Sequence, residues 1–551
     1  MRTEMVVSAA VLALVCGTTL AQWNPSARQW GKTDARDLRV MTWNVRDTIC
    51  STNTKTEGFN DWTATARIVA AFKPDVLILQ ETGDNSGNGT GSGVDSVATL
   101  TTTVNQWLRG GTGITAFVQK YDASYDLPFV FVSNSNDGFN RNIILSRYPF
   151  IDLNGDGRSQ VSDLPFISAD LYAPGGTGGI RGFQFAEIDL PNALYRGDLV
   201  VGNGHLKSGG ATADFTDRLN AAKNIAYYID YLFNGGPAGT TPDPRVRIND
   251  APAATRVLDA FTPVIWGGDM NEDENSNGRD GPVHWMTRAD GTGGTDRDRS
   301  FATLDDARTP FANNRTTQSS SKLDYLMWQD SIATLRRAFI FNSTDPGMPA
   351  TWYPNEIVGY LGGAATISST ASDHRPVIAD FVLPAPPPPA PGAFNLALPA
   401  DGAIGQSLTP VLTWSASSNA TSYTVRISLN SDLSAPIVAV PGVPGTSLGL
   451  GSGVLSECAT YYWGVTAVNG VGSTASTPAV FSFSTVIPAD YDGSGFVDSD
   501  DFILFAEQFA LGCDGPGSPD PACVKSADYD TSGFIDSDDF ILFVERFNAG
   551  C

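Results

Sequence analysis

Basic residues and histidine are scarce in this chain. Of 551 residues, 35 are Lys or Arg and 3 are His, against 59 Asp or Glu, so the formal net charge is −24. A protein that holds nucleic acid statically neutralises phosphates with a basic surface, and this composition argues against such a protein. The acidity is uneven, because residues 384–551 contain three basic and 17 acidic residues. We therefore expect the charge of this last part to serve something other than the substrate of the preceding part.

Long apolar runs are absent too. The mainly apolar run at residues 5–15 has eleven residues, which are too few to cross a bilayer. It follows Arg2 and precedes small residues that end at Ala21, a pattern typical of a secretion signal. We therefore expect a signal peptide at 1–21, no transmembrane segment, and a secreted protein.

Cysteine is the third scarce residue, with six in the chain. Cys513, Cys523 and Cys551 all lie in the last 39 residues, so we expect one disulfide there in an oxidising compartment. Removal of the signal peptide would leave five cysteines, so at least one is free or paired elsewhere, and the spacing leaves the connectivity open. The sequence has no HExxH string and no closely paired cysteines, which disfavours a zinc site.

A proline-rich run divides the chain. Residues 384–392 contain six prolines and are expected to form a stiff, extended linker. Before it, in residues 22–383, short apolar runs alternate with helical patterns, which predicts an α/β sandwich. After it, residues 393–486 show short alternating strands, with Trp414 and Tyr462 among the expected core aromatics. This second part resembles a fibronectin type III β-sandwich module.

The hydrophobic pattern places strands and helices before the linker. Strands are predicted at 38–45, 76–80, 129–133, 143–146, 183–190, 199–206, 264–267, 323–328 and 377–382. Helices are predicted at 62–72 and 216–233.

Polar side chains lie at or beside the ends of several predicted strands, where an interior strand would not place them. The residues concerned are Asn44, Glu81, His205, Asp269, Asn271, Asp324, Asp373 and His374. An unpaired buried carboxylate or imidazole is costly, so we expect these groups to converge at one edge of the sandwich. Two of the three histidines of the chain belong to this set.

The order and wording of these strings resemble the endonuclease/exonuclease/phosphatase superfamily, whose fold is that of deoxyribonuclease I. The resemblance covers residues 38–383 and includes the strings QE, GDxN and SDH in the family's order. It implies a four-layer α/β sandwich and metal-assisted hydrolysis of phosphoesters for this first part. The later residues, by their own patterns, are expected to form an all-β sandwich module and a small helical calcium-loop module.

The resemblance also implies ligands for a metal and for the substrate. Mg²⁺ or Mn²⁺ would be bound by side-chain oxygen atoms of Asn44, Glu81 and Asp373. Oxygen ligands suit a hard cation. Contacts to the phosphate or substrate would come from Arg141, Asn142 and Lys207.

Catalytic roles are implied in the same way. His374, oriented by Asp324, would act as a general base or phosphate ligand, and His205 would be a second imidazole. Asp269 and Asn271 would position the attacking water and the phosphate.

An acidic repeat closes the chain. Residues 489–509 and 527–547 are 38 residues apart and identical at 17 of 21 positions. Their oxygen-bearing side chains have the spacing of a calcium loop: Asp490, Asp492, Ser494, Asp498 and Asp501, then Asp528, Asp530, Ser532, Asp536 and Asp539. The pair resembles dockerin modules whose repeats end in Gly-Cys. The resemblance implies that residues 487–551 bind Ca²⁺ and dock on a cohesin-like partner or a cell-surface scaffold.

A further acidic string lies inside the first part. Asp152, Asn154, Asp156 and Asp163 fit the same loop spacing. The last acid is Asp where calcium loops usually have the longer Glu. The sequence leaves open whether this string is a structural calcium loop or a solvated acidic turn.

Three functions fit these observations. The leading one is a secreted, divalent-metal-dependent phosphodiester hydrolase, above all an endonuclease, anchored through the dockerin-like tail. The second is a phosphoesterase of the sphingomyelinase or inositol-phosphatase kind, with the same active residues and different loops. The third is a non-catalytic binding protein docked on a scaffold, which the intact set of strings argues against. The sequence does not fix the physiological substrate, endo- or exo-cleavage, or the docking partner.

Overall fold

The computed structural model describes residues 23–83, 94–136, 138–155, 157, 159–162, 183–229, 258–273, 281–287, 308–345 and 348–550. The expected signal peptide, 1–21, lies outside these residues. The chain divides into two compact units, one up to Pro386 and one from Pro387 onward, and each is described by itself.

The first unit mixes strands and helices along the chain. Its strands are β1 (Trp23–Asn24), β2 (Gln29–Trp30), β3 (Leu38–Asn44), β4 (Val76–Thr82), β5 (Phe129–Val132), β6 (Arg141–Ser146), β7 (Gln160–Val161), β8 (Phe183–Ile188), β9 (Leu199–His205), β10 (Val264–Asp269), β11 (Asp324–Trp328), β12 (Thr334–Ile340) and β13 (Val377–Val382). Its helices are α1 (Asp61–Phe72), α2 (Val97–Arg109), α3 (Val118–Tyr121), α4 (Thr212–Tyr228), α5 (Pro282–Met286), α6 (Asn355–Val358) and α7 (Ile367–Ala371).

Two large sheets form the centre of this unit. The six-stranded sheet has the order β12-β13-β3-β4-β6-β5, and the five-stranded sheet has the order β11-β10-β9-β8-β7. Most neighbours are antiparallel, but β3 pairs with β4 and β9 pairs with β10 in parallel. The carboxyl ends of these parallel pairs therefore meet at one edge of each sheet.

Side chains alternate between the two faces of each strand, so the unit has separate hydrophobic clusters between the sheets and on their outer faces. In β3, Val40 packs with Val201 and Ile265 of the other sheet, whereas Met41 packs with helix residues such as Ile68. A third cluster joins the outer face of the five-stranded sheet to α4 and α5. The unit is thus a mixed α/β fold with helices outside two facing sheets, consistent with the expected sandwich.

Local sequence signals explain where α1 begins and ends. The Asn60 side chain accepts a hydrogen bond from the backbone N–H of Thr63, which caps the first turn. The helix ends at Lys73, whose φ of 51° is left-handed and stops the helical repeat. Between these ends lie buried residues such as Trp62 and Ile68, which cover the outer face of the six-stranded sheet.

A buried ion pair joins β3 to β13. Arg39 and Asp380 are cross-strand partners and are both essentially inaccessible to solvent. The Arg39 guanidinium donates through Nε and Nη2 to the two Asp380 carboxylate oxygens at 2.6 and 2.9 Å, and through Nη1 to the carbonyl oxygens of Trp30 and Phe72. This one side chain therefore fixes the sheet, the amino-terminal segment and the end of α1 together.

Every predicted strand and helix has a counterpart in this unit. The helix predicted at 216–233 begins at Thr212, and its residues 230–233 lie outside the described part of the chain. The strand at 377–382 has the predicted bounds, and β3, β4 and β9 differ from prediction by one or two residues at an end. The elements that were not predicted are β1, β2, β7, β12, α2, α3, α5, α6 and α7. The long amphipathic helix α2 and the edge strand β12 are among them, since α2 is rich in Thr and β12 carries polar residues at its exposed positions. Within the described residues, no helix is long and apolar enough to cross a membrane.

The second unit begins with short strands. They are β14 (Leu396–Leu398), β15 (Ala403–Gln406), β16 (Val411–Trp414), β17 (Ser422–Ser428), β18 (Val438–Val443), β19 (Ser447–Gly449), β20 (Thr460–Val468), β21 (Ser473–Ala475) and β22 (Phe481–Thr485). They form a three-stranded and a six-stranded sheet around one core that contains Trp414 and Trp463. Tyr462 was wrongly predicted to be in this core: alternation along β20 turns it outward and buries Tyr461 instead. The fibronectin type III assignment stays a prediction.

Two helices end the second unit, α8 (Ser499–Leu511) and α9 (Ser537–Ala549). Their Phe505 and Phe543 rings stack at 3.9 Å between centroids. Cys513 and Cys523 form a disulfide between the repeats, which confirms a disulfide in this part of the chain. Cys50 is buried, and its thiol contacts Thr52 Oγ1 and donates to Asn53 Oδ1.

Removal of the Asp380 charge tests the buried ion pair. Asp380→Ala leaves the Arg39 guanidinium buried without its carboxylate, so we expect the free energy of unfolding to fall by about 3–5 kcal/mol. Urea denaturation followed by tryptophan fluorescence would measure the loss. Arg36→Ala, which removes a solvent-exposed ion pair with Asp34, is the control and should leave the unfolding midpoint unchanged. Equal effects of the two substitutions would contradict the role of Arg39.

Candidate active site

Strand register brings three of the predicted residues side by side. Asp269 at the end of β10 pairs with His205 of β9 on one side and with Asp324 of β11 on the other. All three lie on the strand faces that turn toward the six-stranded sheet, in line with apolar residues such as Val201 and Leu326. The apolar core between the sheets therefore ends in a polar layer at this edge.

The six-stranded sheet contributes Asn44 to the same layer. Its Nδ2 donates to Asp269 Oδ2 at 3.0 Å, and its Oδ1 accepts from the backbone N–H of Arg46. Asn44 is fully buried, so both ends of its amide are used where water cannot replace them. The hydrogen bond to Asp269 joins the two sheets.

His374 enters the layer from the loop before β13. Its Nδ1 lies 2.7 Å from Asp324 Oδ2, and its Nε2 lies 3.7 Å from Asp269 Oδ2. The backbone N–H of His374 donates to Ser372 Oγ, and its carbonyl oxygen accepts from Trp43 Nε1. Backbone and ring are thus both fixed before any substrate is present.

Burial and neighbouring charges shift the pKa values of Asp269 and His374. Burial raises the pKa of Asp269 to about 7, since desolvation disfavours its carboxylate. Burial alone lowers the pKa of His374, but the negative charges of Asp324 and Asp269 outweigh it and raise the pKa to about 10. A raised pKa favours the protonated form of His374, which can donate a proton to a phosphate oxygen.

Glu81 reaches the layer through an irregularity in β4. The pairing of β4 with β6 shifts between Leu79 and Thr82, and Glu81 has a left-handed φ of 51°. A left-handed φ in a residue other than glycine is strained. Its result here is that Glu81 Oε1 lies 3.6 Å from His205 Nε2, which is itself 3.4 Å from Asp269 Oδ2.

Sequence reasoning assigned no role to Asn203, whose buried side chain contacts β4 next to Glu81. Asn203 accepts a hydrogen bond from Gln80 Nε2 at 2.7 Å and donates to the carbonyl oxygens of Leu79 and Ile143 and to Gln184 Oε1. It thus links β9 to β4 and β6 of the other sheet at the level of the irregularity in β4. The signal for it was present, since Asn203 stands two residues before His205 and so on the same face of β9.

Close approach of β9 and β10 requires a glycine. Gly268 has a φ of +135°, and a Cβ there would lie 1.8 Å from the carbonyl oxygen of Gly204. Any larger residue would force these two strands apart. Glycine at 268 therefore allows His205 and Asp269 to stand beside each other.

The remaining predicted residues lie around the layer. The backbone N–H of Asn271 donates to Asp269 Oδ1, while its side chain donates to the carbonyl oxygen of Leu206. Asp373 is about half exposed beside His374. Their predicted roles are not tested by these positions and stay predictions.

The three predicted substrate contacts differ in their surroundings. The Arg141 guanidinium donates to the backbone carbonyl oxygens of Asp95 and Ser133, and so holds two loops. Asn142 is buried in β6. Lys207 Nζ lies 3.3 Å from Asp214 Oδ1, so its charge is already paired. None of these contacts shows a phosphate site, and the role of each stays a prediction.

The two acidic repeats of the second unit have the same geometry. In the first, Asp490 accepts from the Gly495 N–H, and Asp501 accepts from the N–H groups of Asp492 and Asp498. The corresponding bonds recur at Asp528, Asp530, Asp536 and Asp539. Asp498 and Asp536 also cap α8 and α9. Ser494 and Ser532 stand at the third predicted ligand positions of these loops.

Carboxylate oxygens converge in each repeat. Asp490, Asp492 and Asp501 offer one oxygen each within 4.8 Å of one another, and the second repeat does the same. Asp490 Oδ1 and Asp528 Oδ1 are buried and have no hydrogen-bond partner within the described part of the chain. A convergent set of carboxylate oxygens of this kind suits a hard cation.

The third acidic string is described only in part. Asp152 accepts hydrogen bonds from the backbone N–H groups of Gly155 and Gly157, and Asn154 is buried. Asp156 and Asp163 lie outside the described residues. A calcium site here stays a prediction.

Comparison with known families now identifies the fold of the first unit. The model of the Endonuclease/Exonuclease/phosphatase family matches residues 41–374, more than half of the chain. The chain belongs to this family. A comparison with curated proteins gave no match.

Several solved structures resemble this chain at low identity. The family protein from Beutenbergia cavernae is 17% identical, with 80% of this chain and 99% of that chain covered and a TM-score of 0.37. TDP2 of D. rerio complexed with single-strand DNA product is 15% identical, with 63% and 99% covered and a TM-score of 0.33. The human Nocturnin catalytic domain with bound sulfate anion is 13% identical, with 63% and 93% covered and a TM-score of 0.32.

Membership of the endonuclease/exonuclease/phosphatase family fixes the general chemistry. Its members are metal-dependent hydrolases that act on phosphoester bonds. The region that matches the family model includes the whole buried layer, which consists of Asn44, His205, Asp269, Asp324 and His374.

The Asn203 amide gives a test of how the layer is built. Asn203→Leu has a similar volume but leaves several buried donors and acceptors unpaired, at a cost of about 1–3 kcal/mol for each. We expect the segment 76–82, which holds Glu81, to exchange its backbone amide hydrogens faster in mass-spectrometric hydrogen exchange.

Val201→Ala is the matched control, since Val201 lies on the same face of the same strand and packs in the apolar core. It should lower stability by about 1–3 kcal/mol without a selective change at 76–82. Equal exchange in this segment for the two variants would show that Asn203 is only a core residue.

Proposed function

We propose that this chain is a secreted, metal-dependent phosphodiester hydrolase, most specifically an endonuclease. The observation that carries the proposal is the buried His374–Asp324 pair at 2.7 Å, set beside Asp269 and His205 at the edge of the two sheets. Two imidazoles and two carboxylates around one point can hold a phosphate oxygen and move a proton to or from it.

Each of the four side chains has a defined part in this proposal. Asp324 holds the proton of His374 on Nδ1, so that Nε2 faces the reacting centre. Asp269, held by Asn44 and by the backbone N–H of Asn271, orients the attacking water. His205 Nε2 lies on the other side of Asp269 and donates to the phosphate or the leaving oxygen.

Oxygen donors at this edge of the sheets would suit a hard divalent cation. Asn44, Glu81 and Asp373 would supply amide and carboxylate oxygens, and Asp269, Asp324 and His374 offer ligand atoms within 4.8 Å of one another. The exposure of Asp373 leaves room for the water ligands that Mg²⁺ keeps. When bound, Mg²⁺ or Mn²⁺ neutralises charge that develops on the phosphoryl oxygens.

The second unit supports a role in anchoring. The acidic repeats offer convergent carboxylate oxygens, and we propose that each binds Ca²⁺ and that the module docks on a cohesin-like or cell-surface scaffold. Export of the protein is proposed from the apolar segment at 5–15, and a disulfide such as Cys513–Cys523 fits an oxidising compartment.

Nicking of supercoiled plasmid by the full-length protein tests the hydrolase. We expect conversion to open circles with Mg²⁺, no conversion with EDTA, and a rate at least about a hundredfold lower for His374→Ala, because that variant loses a proton-transfer group. The relaxed product would be quantified on agarose gels over time.

Tyr148→Phe, a change remote from the layer, controls for preparation and should nick like the unaltered protein. Cleavage of sphingomyelin or an inositol phosphate without nicking would overturn the endonuclease proposal and keep the hydrolase. No cleavage of any of these phosphoesters would overturn both.

Calcium binding is tested by calorimetry on the full-length protein. Asp490→Asn and Asp528→Asn each remove one buried ligand, so we expect each variant to bind one Ca²⁺ fewer than the unaltered protein. Its thermal stabilisation by Ca²⁺, about 2.7 kcal/mol at a hundred times the dissociation constant, should also decrease. Asp514→Asn, an acidic residue outside both loops, should lose no site. Unchanged stoichiometry in both loop variants would contradict calcium binding there.

A further inference from the structure

A glutamine outside the predicted strings contacts the reactive nitrogen of His374. Gln318 Nε2 lies 2.9 Å from His374 Nε2 and 3.4 Å from Asp373 Oδ2. Asp324 holds the opposite ring nitrogen at 2.7 Å. The imidazole is therefore held at both ends, by a carboxylate at Nδ1 and by a carboxamide at Nε2.

The turn that carries Gln318 is itself fixed to the site. The backbone of Gln318 bridges that of His374, and the Arg375 N–H donates to the Thr317 carbonyl oxygen at 2.7 Å. Thr317 Oγ1 accepts from the backbone N–H groups of Leu323 and Asp324. One short segment, 317–324, thus supplies and positions both partners of the His374 ring.

A carboxamide suits this place for a chemical reason. Its NH₂ can donate to an unprotonated Nε2, and its oxygen can accept from Nε2–H after a rotation of the amide. A carboxamide can therefore hydrogen bond with Nε2 either as a donor or as an acceptor. Neither a carboxylate nor an apolar side chain can do both.

We propose that Gln318 is a positioning residue that holds the His374 ring in the orientation needed for reaction, a role that rests on the proposed hydrolase function. Gln318 is only partly buried, so the fold does not depend on it. With Asp324 at Nδ1, the Gln318 contact at Nε2 sets the plane of the ring.

Gln318→Met tests the proposal in the full-length protein, because Met is equally long and unbranched but makes no comparable hydrogen bond. We expect kcat to fall about tenfold or more and KM to change less than about twofold, since orientation acts on the reacting state. Ser320→Ala, in the same turn and exposed, should match the unaltered protein. A rise in KM alone, or an unchanged kcat, would overturn the proposal.

Ring nitrogen NMR gives a readout that does not depend on activity. The chain has only 3 histidines, so ¹⁵N-histidine labelling yields few signals, and those of His374 are the ones missing in His374→Ala. In Gln318→Met we expect the His374 Nε2 signal to shift more than any other ring nitrogen, even if no substrate is cleaved. An unshifted Nε2 signal would overturn the contact itself, whereas a shifted signal in a protein without hydrolase activity would count against the hydrolase alone.

Discussion

The hydrogen bond from Asn44 to Asp269 joins the two sheets at the point where their shared apolar core ends. Both residues are buried, so each polar atom must find a partner from the protein or remain unpaired at a high cost. The hydrogen bond holds the end of β3 against the end of β10, and β10 pairs with the strands that carry His205 and Asp324. The site is therefore a consequence of how the sandwich closes, with its geometry set before any ligand binds.

Two carboxylates of this unit, Asp380 and Asp269, are both buried, but the groups around them compensate for the loss of water to different degrees. Asp380 faces the Arg39 guanidinium with both oxygens, a contact that only holds strands together. Asp269 faces an amide and two imidazoles, and its pKa is raised to about 7 by burial. The incomplete compensation at Asp269 makes it responsive to a proton, a cation or a phosphate, whereas full compensation at Asp380 makes it inert.

Many of the core residues and site residues could be predicted from the sequence, because side chains alternate between the two faces of a strand and the strand ends are polar. The period of two that puts Val40 in the core also puts Asn44 at its end, and the same holds for Val201 and His205. Gln318 could not be predicted in this way: it lies in a turn, outside any periodic element, and 56 residues from His374. Its contact depends on the path of the loop before β11, which no local pattern determines.

Net charge is a poor guide to the substrate of this protein. Ten of the 17 acidic residues after 384 lie within the two acidic loops and the first turns that follow them, at Asp490–Asp501 and Asp528–Asp539. Their carboxylates converge locally, and calcium binding as proposed would neutralise part of that charge where it stands. The remaining excess of acid in residues 22–383 is ten, spread over a large surface, while the phosphate would meet two imidazoles and a divalent cation at short range. Because screening confines charge effects to about 8 Å at physiological salt, these few groups would decide whether a phosphodiester is accepted under the proposed function, and the overall acidity would not.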